Sequence, residues 1–308
     1  MDIGVAVGDL RGPTTAAGLE EQVRDAATSG FRTAWASQAL GWDALTALAV
    51  AGRVPGIALG TAVLPVPQRH PLVLAGQALS TQAAVDGRLV LGVGAGIGAM
   101  LGAMFGAPHD RPARRMREYL AVLRPLLRGE PVDHHGPALT AVGAVDVPGA
   151  TPPPVLLAAL GPAMLRVAGE LADGTVTWLT GPRTLHEHVV PRLVRAAAGR
   201  AAPRVVVGLP VCVTTDDAAV RARIAERFAQ AGRVPEYRAV LDREGVADAG
   251  GVAVVGDEDA VLRQVHRLRD AGATEFLAAP FGTPDEQRRT LRVLAGGRSG
   301  GEPSGRTG

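Results

Sequence analysis

The chain contains no lysine: all 32 of its basic residues are arginine. That excludes a Schiff-base lysine, a phosphate-loop lysine and a lysine general base. A single cysteine, Cys212, excludes an internal disulfide framework. It sits in the apolar run Leu209-Pro210-Val211-Cys212-Val213 and reads as inert core. Excess charge is also missing, because the formal net charge is only +2, which gives nucleic acid no electrostatic footing. Long hydrophobic runs are absent too: stretches such as 155–160, bounded by Pro154 and Gly161, are far too short to span a membrane. Met1-Asp2-Ile3-Gly4-Val5 enters a strand with no basic leader ahead of it, so a cytoplasmic protein is expected. Aromatics make up 3% of the residues, so the core drawn from the 47% apolar fraction must be aliphatic.

What is present is alternation. Strand-like runs at 3–7, 33–36, 57–64, 88–93, 155–160, 175–179, 205–213 and 274–279 are separated by amphipathic stretches. Leu72, Ala75, Leu79 and Ala83 repeat at helical spacing and stop at Gly87. A second stretch runs from Pro112 through Met116, Leu120, Leu123 and Leu127, with Asp110 as its expected cap. Eight strands alternating with helices predict an α/β protein built as a (β/α)8 barrel, with an open doubly wound sheet as the competing solution. One domain over 1–295 is expected, followed by a disordered tail of glycine, serine and charge over 296–308. Two short insertions break the rhythm: a hairpin within 129–150, after the fourth strand, and a helix-plus-loop excursion within 232–258, after the seventh. In a barrel such insertions flank the mouth or brace the shell.

Several segments could carry chemistry. Ala158-Ala159-Leu160-Gly161-Pro162-Ala163 reads as a strand end, a glycine and a helix with proline at its first position. The free amides there make an anion seat, although the same residues also serve as ordinary strand-to-helix punctuation. Gly94-Ala95-Gly96, with Ala99, loosely matches a dinucleotide fingerprint, but no clean βαβ unit follows. A glycine-lined mouth loop for a flat cofactor fits better. Thr61-Ala62-Val63-Leu64-Pro65 ends the third strand in small residues, opening its tip. Ser37 and Gln38 project from the second strand, and glutamine orients a carbonyl but is a poor proton acceptor. His134-His135 and His186-x-His188 lack metal-ligand spacing and have no cysteine partners, so no metal site is expected and the latter pair reads as a solvated helix face. His109, in a mouth loop, is the best-placed acid or base.

The chain resembles the bacterial luciferase-like oxidoreductases, and within them the actinobacterial branch that uses the deazaflavin coenzyme F420. The resemblance is carried by Gly30-Phe31-Arg32-Thr33-Ala34-Trp35-Ala36-Ser37-Gln38, Leu59-Gly60-Thr61-Ala62-Val63, Arg69-His70-Pro71-Leu72 and Gly87-Arg88-Leu89-Val90-Leu91-Gly92-Val93-Gly94. Arg115-Met116-Arg117-Glu118-Tyr119-Leu120, residues 152–164 and Ala172-Asp173-Gly174 extend it. It implies a cofactor ring at the barrel mouth, a cis peptide at Ala62-Val63 behind that ring, the cofactor phosphate on the 159–163 turn, and 94–98 lining the path of the tail. It also implies a homodimer formed through barrel helices.

One departure bears on the reaction. F420-dependent alcohol and sugar-phosphate dehydrogenases look like Ser-Asp-His at the second strand tip, where this chain has Ser37-Gln38-Ala39. Oxidising an alcohol needs a base for the hydroxyl proton. Its absence favours the reverse: hydride from reduced F420 onto an activated C=C or C=N bond of a small molecule, with water, His109 or Tyr119 as proton source. Arg69, Arg111 and Arg115, near the mouth loops, are the expected grip on the acidic cofactor tail. An FMN-dependent monooxygenase or reductase of the same fold, and a non-enzymatic cofactor-binding barrel, are the alternatives.

Overall fold

The computed structural model describes residues 1–12, 14–106 and 109–297. Eight parallel strands follow one another around a closed barrel: β1 (Asp2–Val7), β2 (Thr33–Ala36), β3 (Ala58–Thr61), β4 (Leu89–Gly94), β5 (Val155–Ala158), β6 (Gly174–Trp178), β7 (Arg204–Val213) and β8 (Glu275–Pro280). The ring closes where β8 pairs with β1, Asp2 opposite Glu275 and Val5 opposite Ala278. Outside it lie α1 (Ala16–Thr28), α2 (Ala44–Ala51), α3 (Pro71–Ala84), α4 (Pro112–Leu127), α5 (Pro162–Leu171), α6 (Val190–Ala196), α7 (Glu258–Asp270) and α8 (Pro284–Gly296). This is a (β/α)8 barrel, not an open sheet. The tail from 298 onward, where disorder was expected, lies outside the described residues.

The strands read as continuous apolar runs because both their faces are buried. Alternate residues divide between two cores, as a period of two requires. Ala6, Trp35, Val90, Leu156, Val176, Val206 and Leu277 fill the barrel interior. Val5, Val7, Ala34, Leu91, Leu157, Val207 and Phe276 pack outward under the helices. With few aromatics, one indole does much of the interior filling. A Cβ on Gly60 would lie 2.2 Å from the Trp35 ring, and one on Gly4 2.5 Å from its Nε1. Trp35 Nε1 donates to Glu275 Oε1 at 2.9 Å, and Arg204 Nη2 donates to Glu275 Oε2 at 2.9 Å. A carboxylate only 2% exposed is thereby paired, as burial of a charge demands.

Arginine also closes loops. Arg88 donates to the carbonyls of Val54, Ile57 and Gly52 at 2.9, 2.8 and 2.5 Å, and Arg221 reaches those of Gly250, Ala253 and Val255. A forked cation can serve three acceptors at fixed angles, which a point-like ammonium cannot.

Both insertions are present. The hairpin pairs Val132–His135 with Thr140–Gly143. His70 Nε2 anchors it to the Thr140 carbonyl at 2.7 Å, and the Glu118 carboxylate accepts from His134, Ala138 and Leu139. The second excursion is more ordered than the helix and loop expected within 232–258. Helix Pro235–Glu244 is followed by Ala249–Val252 and by a short strand, Val254–Gly256. That strand pairs with Val211–Val213, the part of ten-residue β7 that outruns the barrel and has backbone groups to satisfy. No helix among the described residues is long and apolar enough to cross a membrane.

Candidate functional site

The strands' C-terminal ends define the mouth, the face where barrels of this kind carry their chemistry. At the β3 tip, the Thr61 hydroxyl accepts from Gly92 N at 2.8 Å and donates to Gly92 O at 2.7 Å. The Ala62-Val63 peptide, the one singled out by resemblance, is cis. Beyond it Leu64–Pro65 pairs again with β4 at Val93 and Gly94. Contact here is close enough to demand glycine. A Cβ on Gly92 would stand 1.9 Å from the Thr61 carbonyl oxygen, and one on Gly94 2.9 Å from Val63 Cγ2 and 3.2 Å from Ala158 Cβ. Leu10, Ala62, Val63, Ala158 and Trp178 cap the interior core as its half-buried upper layer. The floor of the mouth is therefore flat, apolar and made of small groups on its β3–β5 side. Ala95 and Gly96 continue it, with Gly96 at φ +71°.

The turn after β5 keeps its amides free. Gly161 caps α5 without a side-chain hydrogen bond, Pro162 fills the first helical position, and a Cβ at Gly161 would meet nothing within 4 Å. Pro162 and Ala163 are exposed, Ala159 is buried, and Leu160 faces inward enough to engage a neighbour: His188 Nε2 lies 2.8 Å from the Leu160 carbonyl oxygen. This corrects the solvated-face expectation for the second histidine of His186-x-His188. His188 is 4% exposed, whereas His186 is exposed. The segment Leu185–Val189 is a π-turn, which shifts the face each residue presents relative to an α-helix. Burial holds the His188 pKa below the usual range, Arg243 and Arg192 act in the same direction, and the bond to Leu160 opposes them. His188 is thus a neutral ring whose Nε2–H donates.

On the opposite side, Gln38, Arg69 and Tyr119 come together but satisfy one another. Gln38 Oε1 accepts from Ala44 N at 2.8 Å, with Arg69 Nη2 at 3.5 Å. Arg69 Nη2 binds Asp43 Oδ2 at 2.6 Å, and Asp43 also caps α2 through Thr46 N at 2.9 Å. Burial pushes the Asp43 pKa upward, but the Thr46 and Arg69 hydrogen bonds win and hold it below the ordinary carboxylate range. The Tyr119 hydroxyl donates to the Arg69 carbonyl at 3.0 Å in a buried setting, and burial raises its pKa well above the ordinary phenol range. Its proton is engaged away from the mouth. Ser37 is half-buried beside this group.

The start of α4 differs from expectation. Arg111, at φ +49°, is the cap residue and offers no side-chain bond; Asp110 instead pairs with Arg115 at 2.7 Å, while Arg115 Nε also takes the Asp110 carbonyl. A carboxylate held by that fork cannot turn back to cap the helix. Arg111 is exposed and forms no ion pair among the described residues. His109 is exposed and lies over Gly98, where a Cβ would stand 2.9 Å from its own. Cys212 is fully buried, its thiol pushed up to about 12 mainly by burial. No group of three or more potential metal ligands occurs among the described residues. Sequence reasoning missed Trp178, His188 and Asp43. Of these, Trp178 left a signal as the inward-facing position two residues beyond Val176, and Asp43 as an aspartate directly ahead of an apolar helical run.

A family model described as luciferase-like monooxygenase matches residues 3–275. An uncharacterized protein of Mycobacterium bovis is 33% identical over 268 residues, covering 81% of this chain and 75% of that protein. The 5,10-methylenetetrahydromethanopterin reductase of Archaeoglobus fulgidus is 29% identical over 312 residues, covering 88% of this chain and 91% of the reductase. Among solved structures, the coenzyme F420 dependent tetrahydromethanopterin reductase from Methanopyrus kandleri superposes with a TM-score of 0.81 at 22% identity, over 96% of this chain and 97% of that one.

Proposed function

The chain belongs to the luciferase-like monooxygenase family, and from that membership we propose that it is an F420-dependent reductase that delivers hydride to an activated C=C or C=N bond of a small organic molecule. The observation that carries the direction is the β2 tip. Gln38 stands there with its oxygen already accepting from Ala44 N, so no group at that position can take a hydroxyl proton.

The residues fit a flat, phosphate-bearing cofactor. Ala62, Val63, Gly94 and Ala158 offer the ring a cradle in which an added Cβ has no room. The amides following Gly161 would hold the phosphate, since a helix N-terminus with no side-chain cap is an anion site. Thr61 holds the cradle's two strands in register, Ala95 and Gly96 line the path outward, and His188 holds the turn through Leu160. When bound, the reduced deazaflavin supplies a hydride. Of the three arginines expected to grip its acidic tail, Arg69 and Arg115 are already paired with Asp43 and Asp110, which leaves Arg111 available. Equilibrium dialysis against oxidised F420 and, separately, FMN tests the reading. Tight F420 binding is expected, and tight FMN binding without F420 binding would overturn it.

The assembly we propose is a homodimer. Neither α2 nor α3 carries a charged residue, and both expose valine: Val50 at 43% and Val73 at 55%. Every other barrel helix carries charge. Two adjacent uncharged faces on one side of the shell suit contact with their own copy.

A further inference from the structure

Four of the ten aromatic residues in this aromatic-poor chain pack on one hydrophobic cluster beside the end of β6: Trp178, Phe228, Tyr237 and Phe281. Trp178 packs against both the barrel interior, alongside Val63 and Ala158, and the cluster beneath the excursion after β7. It joins the cofactor cradle to this aromatic wall. The backbone is shaped around it. Gly208 leaves room for the ring, a Cβ there lying 2.8 Å from Trp178 Cε3. Leu179, next in sequence, takes φ +55°, a conformation costly for leucine that turns the chain directly after the indole. Phe228 meets Trp178 edge to face, with centroids 5.5 Å apart and planes at 69°.

Tyr237, on helix Pro235–Glu244, packs against the same cluster. Its hydroxyl has no hydrogen-bond partner among the described residues, yet it is not among the sealed, unpaired polar atoms. A tyrosine hydroxyl in such surroundings ordinarily finds a partner. Tyr119, by contrast, already donates to Arg69.

We propose that this wall is the substrate half of the mouth, that it takes a flat, uncharged, carbonyl-bearing molecule, and that the Tyr237 hydroxyl donates to the carbonyl oxygen. The proposal rests on the reductase reading for its chemistry but not for its binding geometry. For an enone, a bound reduced deazaflavin would supply hydride at the β carbon, and the C=C electrons would move toward the carbonyl. The oxygen takes the Tyr237 proton to give an enol. Tyrosinate regains a proton from water, the hydroxide left behind is neutralised by the proton the cofactor sheds, and the enol becomes the ketone by solvent exchange. Overall the C=C bond would gain two hydrogens and the cofactor would give up two, one as hydride and one as a ring N–H proton released to solvent. Burial pushes the Tyr237 hydroxyl up to about 12, with Glu236 acting in the same direction, so its proton is in place at neutral pH.

The test uses the full chain without cofactor. Calorimetric titration with 1-tetralone, a flat aryl ketone, is compared with tetralin, which lacks the oxygen. Wild type should prefer tetralone, and Tyr237→Phe should lose about tenfold of tetralone affinity while binding tetralin unchanged. Trp178→Ala should weaken both. Equal tetralone binding by wild type and Tyr237→Phe, or failure of wild type to bind either compound, overturns the proposal whatever F420 does. Turnover of cyclohexenone by reduced F420 then tests the proton step, with Tyr237→Phe lowering kcat more than it raises KM. Loss of F420 binding with the tetralone preference intact would instead count against the reductase reading alone.

Discussion

His188 donates its Nε2 hydrogen to the Leu160 carbonyl oxygen at 2.8 Å, so the turn that opens α5 is held from below by a neutral ring. Its pKa lies below that of the unfolded chain, chiefly through burial. The folded state therefore binds fewer protons than the unfolded state as pH falls through the ordinary histidine range. This contribution to stability is complete above about pH 6.5 and is lost on acidification below it. Melting temperatures at pH 7.5 and 5.5 should show a smaller drop for His188→Gln, which keeps a donor and cannot titrate. An identical drop in both proteins would show that His188 is not the titrating group.

Gly94→Ala places a methyl group 2.9 Å from Val63 at the floor of the proposed ring site. Overpacking of this kind costs about 1–3 kcal/mol. The variant should fold and bind F420 at least about tenfold more weakly, read by dialysis. Gly92→Ala meets backbone at 1.9 Å and should instead abolish soluble expression.

Arg111→Gly should move two readouts in opposite directions. Relieving a non-glycine residue at φ +49° stabilises by about 1 kcal/mol, visible in urea denaturation. Removing this exposed cation should weaken F420 binding and flatten its salt dependence. Arg115→Gly, which breaks an existing pair, should show no such gain in stability.

Asp43→Ala removes the α2 cap and the partner of Arg69 together. Stability should fall by about 1 kcal/mol from the cap alone, measured by chemical denaturation.

Val73→Glu introduces charge into the uncharged α3 face. Sedimentation velocity should shift toward monomer, with Val194→Glu, on exposed α6, leaving the distribution unchanged.

The barrel was legible because its signal is local and repeated. Each strand buries both faces, so each appears as an apolar run, several of them bounded by glycine or proline, and eight such runs survive ambiguity at their ends. The strand Val254–Gly256 was not legible, since only the overhang of β7 explains why those residues pair. The site was less readable still. Whether Tyr119 faces the mouth, whether Asp110 caps or pairs, and which way His188 turns depend on partners 50, 5 and 28 residues away in the chain. The π-turn that rotates His188 inward leaves no mark in hydrophobic spacing. Arginine was visible only as a count. That Arg88 and Arg221 close loops through backbone carbonyls, while Arg111 forms no ion pair among the described residues, emerges only from the folded contacts.

The three tryptophans occupy three different worlds. Trp35 is sealed in the barrel floor against the Glu275 carboxylate, Trp42 is half-buried with its indole on the Thr14 carbonyl, and Trp178 is half-buried at the mouth. The chain therefore carries its own optical reporter and internal reference. A small neutral quencher diffusing in solution reaches half-buried Trp178 and Trp42 and cannot reach Trp35. Whatever fills the mouth should shield Trp178 and leave Trp35 untouched, so occupancy can be followed as a fall in the quenchable fraction, with no dye attached.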